Sequence, residues 1–304
     1  MSAKILITGT GGQLGSELLR SFAGAGELIA LRRDVADFAS PDRLRVYVRE
    51  LRPDIILNPA AYTAVDKAES EAELAMRVNG DAPRVLAEEA RRTEALLVHY
   101  STDYVFDGSK QDPWTEQDTP RPLGVYGATK LAGEHAVAQA GGKHLILRTS
   151  WVYGPHGRNF LLTMLRMARE RDRLTIVDDQ RGAPTTSLEL ARATRHIVDG
   201  VLSGQFGNQD QWAGTYHMTC GGATSWCGFA RAIFERAGRL QSGRIPEVIP
   251  IATADYPTPA RRPLNSRLSN QKLNTTFGIQ LAAWEAALDE VIGLLKLKDS
   301  ALHG

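Results

Sequence analysis

The sequence predicts an α/β fold, a doubly wound parallel sheet with a smaller, discontinuous second domain. Three observations carry this. Short aliphatic runs alternate with helical periodicity through the first half of the chain. A glycine-rich turn, Gly9-Thr10-Gly11-Gly12-Gln13-Leu14-Gly15, separates the first run from the first helical stretch. After Trp151 the rhythm becomes less regular, and 304 residues with 43% apolar content suffice for an appended second domain.

Taken in order, Ile5-Leu6-Ile7 marks a buried strand over residues 4–8, and apolar periodicity after Gly15 marks a helix over 16–23. Further strands are predicted at 27–31, 55–57, 96–101 and 144–148, with helices at 41–50, 73–92 and 129–139 between them. This is the rhythm of βαβ units, whose ligands bind beyond the carboxyl ends of the strands. Downstream, a strand is expected at 174–177 and helices at 160–171, 188–202 and 225–237. The stretch 256–263, Tyr-Pro-Thr-Pro-Ala-Arg-Arg-Pro, cannot be helix interior and is read as a loop. A final helix follows Leu281. The first domain is placed at 1–150, with returning segments near 174–203, and the second at 151–173 and 220–298.

Bulk properties narrow the function. A net charge of +1 gives no hint of nucleic acid or an anionic membrane as partner. No apolar run approaches the ~20 residues that span a bilayer. Met-Ser-Ala-Lys runs directly into the first strand, so no signal peptide is expected. Cys220 and Cys227 lack metal-ligand spacing and are too few for a disulfide framework. Reduced thiols in a cytoplasmic protein are expected. The seven histidines are scattered, and no metal site is expected from them.

Two motifs carry chemistry. In the first turn, Gly9, Gly12 and Gly15 allow a tight bend, a close approach of pyrophosphate to the backbone, and packing of helix on strand. Gln13 and Leu14 share that turn, where free N–H groups of the helix point at phosphates. This makes the fold Rossmann-type. The second motif is Tyr126-Gly-Ala-Thr-Lys130. Four residues apart on a helix, its tyrosine and lysine share one face. A phenol of pKa about 10 trades no protons near neutrality, and a nearby ammonium is expected to lower that value. At the end of the second strand, Arg32-Arg33 suits a 2′-phosphate better than a free ribose hydroxyl, with Asp34 just beyond. NADPH is therefore expected as the preferred cofactor, with NADH also accepted.

The glycine turn with Tyr126 and Lys130 resembles the extended short-chain dehydrogenase/reductase family. Further stretches are similar to its dTDP-4-dehydrorhamnose reductase group: Ala60-Ala-Tyr-Thr-Ala-Val-Asp-Lys, His99-Tyr-Ser-Thr-Asp-Tyr-Val-Phe, Arg148-Thr-Ser-Trp-Val-Tyr, Asp179-Gln-Arg-Gly-Ala-Pro-Thr and Arg262-Pro-Leu-Asn-Ser-Arg-Leu. The resemblance covers nearly the whole chain. It implies that Tyr126 donates a proton to the C4 oxygen of a keto sugar on a dTDP carrier. Lys130 would lower the phenol pKa and bind the nicotinamide ribose. Thr102 would orient the carbonyl, while Asp103 and Trp151 would contact the sugar. Asp37 and Phe38 match adenine contacts, and Ala61, Tyr62, Thr63 and Tyr100 would line the cofactor groove.

Tyr104 stands where the related 4,6-dehydratases carry a glutamate for eliminating water, which favours simple reduction. Pro59 and Gly80 depart from the group's usual residues. Some relatives bind magnesium through glutamates at a dimer interface. Glu17 and Glu285 fit two of those positions, but Leu188 takes the third and Glu189 is displaced by one residue. Magnesium is not carried over, these glutamates are expected on solvated faces, and the chain is left as monomer or homodimer. Two alternatives stay open: reduction of another nucleotide-linked 4-keto-6-deoxy sugar, and a non-catalytic role like that of the methionine adenosyltransferase beta subunit, which resembles the same group. The intact Tyr126/Lys130 pair and the Trp151 segment argue against the second.

Overall fold

The computed structural model of the chain describes residues 2–32, 37–238 and 245–301. Six strands form one parallel sheet: β1 (Lys4–Thr8), β2 (Glu27–Leu31), β3 (Ile55–Asn58), β4 (Leu96–Thr102), β5 (His144–Thr149) and the strand Gly214–His217. Their spatial order is Gly214–His217, β5, β4, β3, β1, β2. Chain direction across the sheet reverses between β1 and β3, which opens a crevice at their carboxyl ends.

Both faces of the sheet are covered, which is why the central strands read as continuous apolar runs. On one face Ile5, Ile7, Leu57, Val98 and Leu147 pack against α1 (Gln13–Ser21), the helix Ser187–Leu202 and the helix Gln271–Phe277. On the other, Leu6, Ile56, Leu97 and Ile146 meet α2 (Pro41–Leu51) and the helix Ala82–Thr93. The alternation of Leu6 to one face with Ile5 and Ile7 to the other is the period of two that a strand imposes.

A second core gathers Tyr153, Leu161, Phe229, Ile233, Leu288 and Val291 from the helices Phe160–Glu170, Trp226–Gly238 and Trp284–Ala301 and the short strand before them. The strand predicted at 174–177 belongs here. It spans Arg173–Val177 and pairs in parallel with Glu247–Ile251 rather than with the large sheet. The following helix, Ser187–Leu202, returns to the large sheet, so the segment near 174–203 divides between the two cores.

Two further differences from the sequence expectation have local causes. The strand Gly214–His217 has only four residues and includes a glycine at φ 133°, so it carries little periodic signal. The helix expected over 73–92 is interrupted by a π-helical stretch, Arg77–Asp81, between Ala72–Met76 and Ala82–Thr93. Such insertions are rare and recur at functional sites. Here the extra residue turns Asn79 inward, where it is fully buried.

Candidate active site

The crevice at the β1/β3 reversal is a cavity of about 1000 Å³. Its floor is the glycine turn, with Gly9, Gly12, Gln13, Leu14 and Gly15 in the lining. Gly9 has φ +57°, and a Cβ there would stand 2.9 Å from Ala60 Cα. A Cβ on Gly15 would lie 2.3 Å from the Gly9 carbonyl oxygen, so helix and turn meet this closely only because Gly15 has no side chain. At Gly11 a Cβ would meet nothing within 4 Å, because that edge opens into the cavity. A backbone cradle of this shape fits a pyrophosphate.

At one end of the cavity stand Arg32, Asp37 and Phe38. Arg33 and Asp34 lie outside the described residues. The wall after β3 is formed by Ala61, Tyr62 and Thr63. Asn79 holds this wall: its Oδ1 accepts the Tyr62 amide at 2.8 Å and its Nδ2 donates to the Tyr62 carbonyl at 3.2 Å and to Thr129 Oγ1 at 3.2 Å. At the other end Tyr100, Tyr126 and Lys130 line the cavity. Thr102, Asp103 and Trp151 do not; they lie at and beyond the ends of β4 and β5.

Several lining residues had no signal in the sequence. Ser101 and Thr149, nine-tenths buried, present hydroxyls with no hydrogen-bond partner among the described residues. The loop carrying Gly157 and Arg158 folds back over the glycine turn, held by Asn159 Nδ2 donating to Gln13 Oε1 at 2.9 Å. That contact joins residues 146 positions apart, which no local pattern announces.

At that end the helix Val125–Ala140 places Tyr126 and Lys130 one turn apart. The Thr102 hydroxyl, beside the Tyr126 phenol, donates to Asp103 Oδ1 at 3.1 Å and accepts from the Tyr104 amide at 3.2 Å. Lys130 Nζ donates to the Tyr100 carbonyl at 2.7 Å. The expected lowering of the phenol pKa by Lys130 is not found within the chain. Burial pushes Tyr126 up to about 12, with Thr102 pulling it down and Asp103 raising it further. The same burial pushes Lys130 down to about 8, against the opposing pull of Glu134. Loss of water penalises whichever form is charged, so the phenol keeps its proton and the amine gives its proton up more readily. Burial also lifts Asp103 to about 6, opposed by the Ser266 and Thr102 hydroxyls.

Trp151 has φ +48°, a strained backbone for so bulky a residue. Its ring stacks on Trp226 at 3.6 Å with an interplanar angle of 10°. Gly182 leaves room for that ring, since a Cβ there would fall 2.6 Å from it. Trp226 in turn donates to Gln180 Oε1 at 3.2 Å.

The expectation of solvated glutamates fails for Glu17. It is buried, and Arg20 Nη1 donates to it at 2.6 Å with His156 Nδ1 3.5 Å away. Glu189 is bound to Arg192 and to the Ala282 amide, while Glu285 is exposed. Among the described residues no three acidic, histidine or cysteine side chains gather as a metal site, and no helix is long and apolar enough to cross a membrane.

Comparison with known proteins places this geometry. The profile described as the RmlD substrate binding domain matches residues 3–296. The dTDP-4-dehydrorhamnose reductase of Burkholderia thailandensis is 48% identical over 293 residues, covering 94% of this chain and 96% of that protein. The crystal structure of a dTDP-4-dehydrorhamnose reductase from Clostridium acetobutylicum superposes with a TM-score of 0.88 at 38% identity, covering 96% of this chain and 99% of that one. The Bacillus anthracis dTDP-4-dehydrorhamnose reductase, crystallised with NADP, gives a TM-score of 0.86 at 34% identity over the same shares. With its glycine turn, Tyr126/Lys130 pair and end-to-end match to these proteins, the chain belongs to the RmlD family of dTDP-4-dehydrorhamnose reductases.

Proposed function

We propose that this chain reduces the C4 keto group of dTDP-4-dehydro-β-L-rhamnose to give dTDP-L-rhamnose, using NADPH. The observation that carries the reading is Tyr126 and Lys130 lining one end of a cavity with a glycine-turn floor, with Thr102 beside the Tyr126 phenol. When bound, the reduced nicotinamide supplies hydride to C4 of the sugar. Tyr126, its proton retained by burial, donates to the C4 oxygen as negative charge develops there. Thr102 orients the phenol, and Lys130 holds a cation beside it at neutral pH. Asp103 and Trp151 bound the sugar, with Trp151 held in its strained conformation by the Trp226 stack.

Gly9, Gly12, Gln13, Leu14 and Gly15 would hold the pyrophosphate, Asp37 and Phe38 the adenine, and Arg32 the 2′-phosphate. The guanidinium fork suits a phosphate, which favours NADPH over NADH. The test is purified protein with NADPH and the keto sugar nucleotide, following cofactor absorbance and identifying the product. Turnover is expected, and Tyr126→Phe should lower it by about 10²–10⁴-fold with NADPH binding nearly intact. Stable absorbance with no rhamnosyl nucleotide from the unmodified protein overturns the assignment.

A further inference from the structure

Polar side chains form a row across one face of the sheet, beneath Lys130. Thr8, Asn58 and His99 stand on neighbouring strands β1, β3 and β4, and all three are fully buried. The Ala60 amide donates to Thr8 Oγ1 at 3.2 Å, and the Thr8 hydroxyl donates to Asn58 Oδ1 at 2.7 Å. The Asn58 amide is thereby oriented with Nδ2 toward His99 Nδ1, 3.0 Å away. An amide nitrogen only donates, so His99 Nδ1 must accept. The neutral imidazole then carries its proton on Nε2, which lies 3.5 Å from Lys130 Nζ.

That N–H matters because of what it faces. An ammonium has three N–H groups and no lone pair, so a further N–H aimed at it is unfavourable, whereas a neutral amine can accept it. His99 cannot escape by charging: a proton on Nδ1 would point at the Asn58 NH₂, and burial with Lys130 nearby holds its pKa well below the usual range. We propose that Thr8 and Asn58 lock His99 in its Nε2–H tautomer, and that His99 so held is a positioning residue for Lys130 that disfavours the extra proton on its amine. The proposal rests on the reading of Tyr126 and Lys130 as the reacting pair.

Other charged or titratable groups around Lys130 do not replace this effect. Tyr126 and Glu134 share its helix, and Glu134 favours the cation. From β5, however, Arg148 takes the Glu134 carboxylate bidentately at 2.9 and 2.6 Å. From β4 comes the Tyr100 carbonyl, which accepts from Nζ, and from the turn that follows it Asp103, beside the phenol. The Arg77–Asp81 stretch contributes Asn79, which is neutral and bound to Thr129.

Asn58→Asp presents a carboxylate to His99 Nδ1 and reverses the tautomer, leaving Nε2 to accept from the ammonium. The alkaline limb of kcat should then move up by at least one pH unit. In a His99→Leu background the same change should move it by less than half as much. Equal shifts in both backgrounds would show the introduced carboxylate acting by charge alone and overturn the proposal. Should either variant fail to fold, ¹⁵N-histidine NMR of the unmodified protein decides. His99 is expected as the neutral Nε2–H form throughout the stable pH range; an Nδ1–H form or an imidazolium near neutrality sinks the lock. The NMR result does not depend on the sugar, so failure of the turnover assay leaves it interpretable.

Discussion

Asp103 carries a large electrostatic cost beside the Tyr126 phenol. It is almost wholly buried, and desolvation lifts its pKa to about 6 from an ordinary carboxylate value. A group raised on folding binds protons more tightly in the folded state, so its contribution is fully present below the unfolded pKa. That contribution is lost as pH rises through the folded pKa. Removing the charge should therefore help only at the upper end. Asp103→Asn is expected to leave stability nearly unchanged below about pH 4 and to raise it by up to about 3 kcal/mol above about pH 7. Urea unfolding at both ends of that range checks this, and an equal effect at both would contradict the burial argument.

Packing between two helices fixes one wall of the large cavity. The helix Val125–Ala140 lies so close to the π-helical stretch Arg77–Asp81 that a Cβ on Gly133 would sit 2.2 Å from the Asn79 carbonyl oxygen. Backbone cannot move aside as a flexible side chain can. Gly133→Ala is expected to cost about 1–3 kcal/mol and to weaken NADPH binding, because Asn79 carries the Tyr62 backbone with it. Gly293, in the helix Trp284–Ala301, is the contrasting case: a Cβ there meets nothing within 4 Å. Gly293→Ala should stabilise by about 0.5–1 kcal/mol through helix propensity alone. Thermal unfolding of the two variants, with a cofactor titration of the first, separates the effects.

Across the whole molecule, an ion pair ties the proline-rich loop to the short helix that follows β3. Arg262 donates to Asp66 at 3.1 and 2.9 Å, and the Ala260 amide adds a third bond to the same carboxylate. Asp66 lies in the short helix Val65–Ala68 that follows β3, so the clasp joins the segment beyond β3 to the loop at 256–263. The pair is partly exposed and worth about 1 kcal/mol or less to stability. Its consequence is positional. Arg262→Ala should shift the melting temperature little while raising KM for the keto sugar more than KM for NADPH. Equal rises in both constants would show that the clasp does not favour the sugar side.

The five leading strands, the glycine turn and the Tyr126–Lys130 spacing were legible in the sequence. Each is written within a few neighbouring residues, by side-chain period or by the need for a missing Cβ. The assignment of the strand Arg173–Val177 to a separate small sheet was not, because a strand does not encode its partner. Nor was the burial of Glu17 behind Arg20 and His156, or the loop returning over Gln13. Proton affinities were the least legible of all: Lys130 shares a helix face with Tyr126 as its spacing requires, yet desolvation overrode the charge effect that spacing suggests. Local chemistry chooses elements and motifs, whereas the dielectric around a group and the partner across a gap exist only once distant segments have closed on one another.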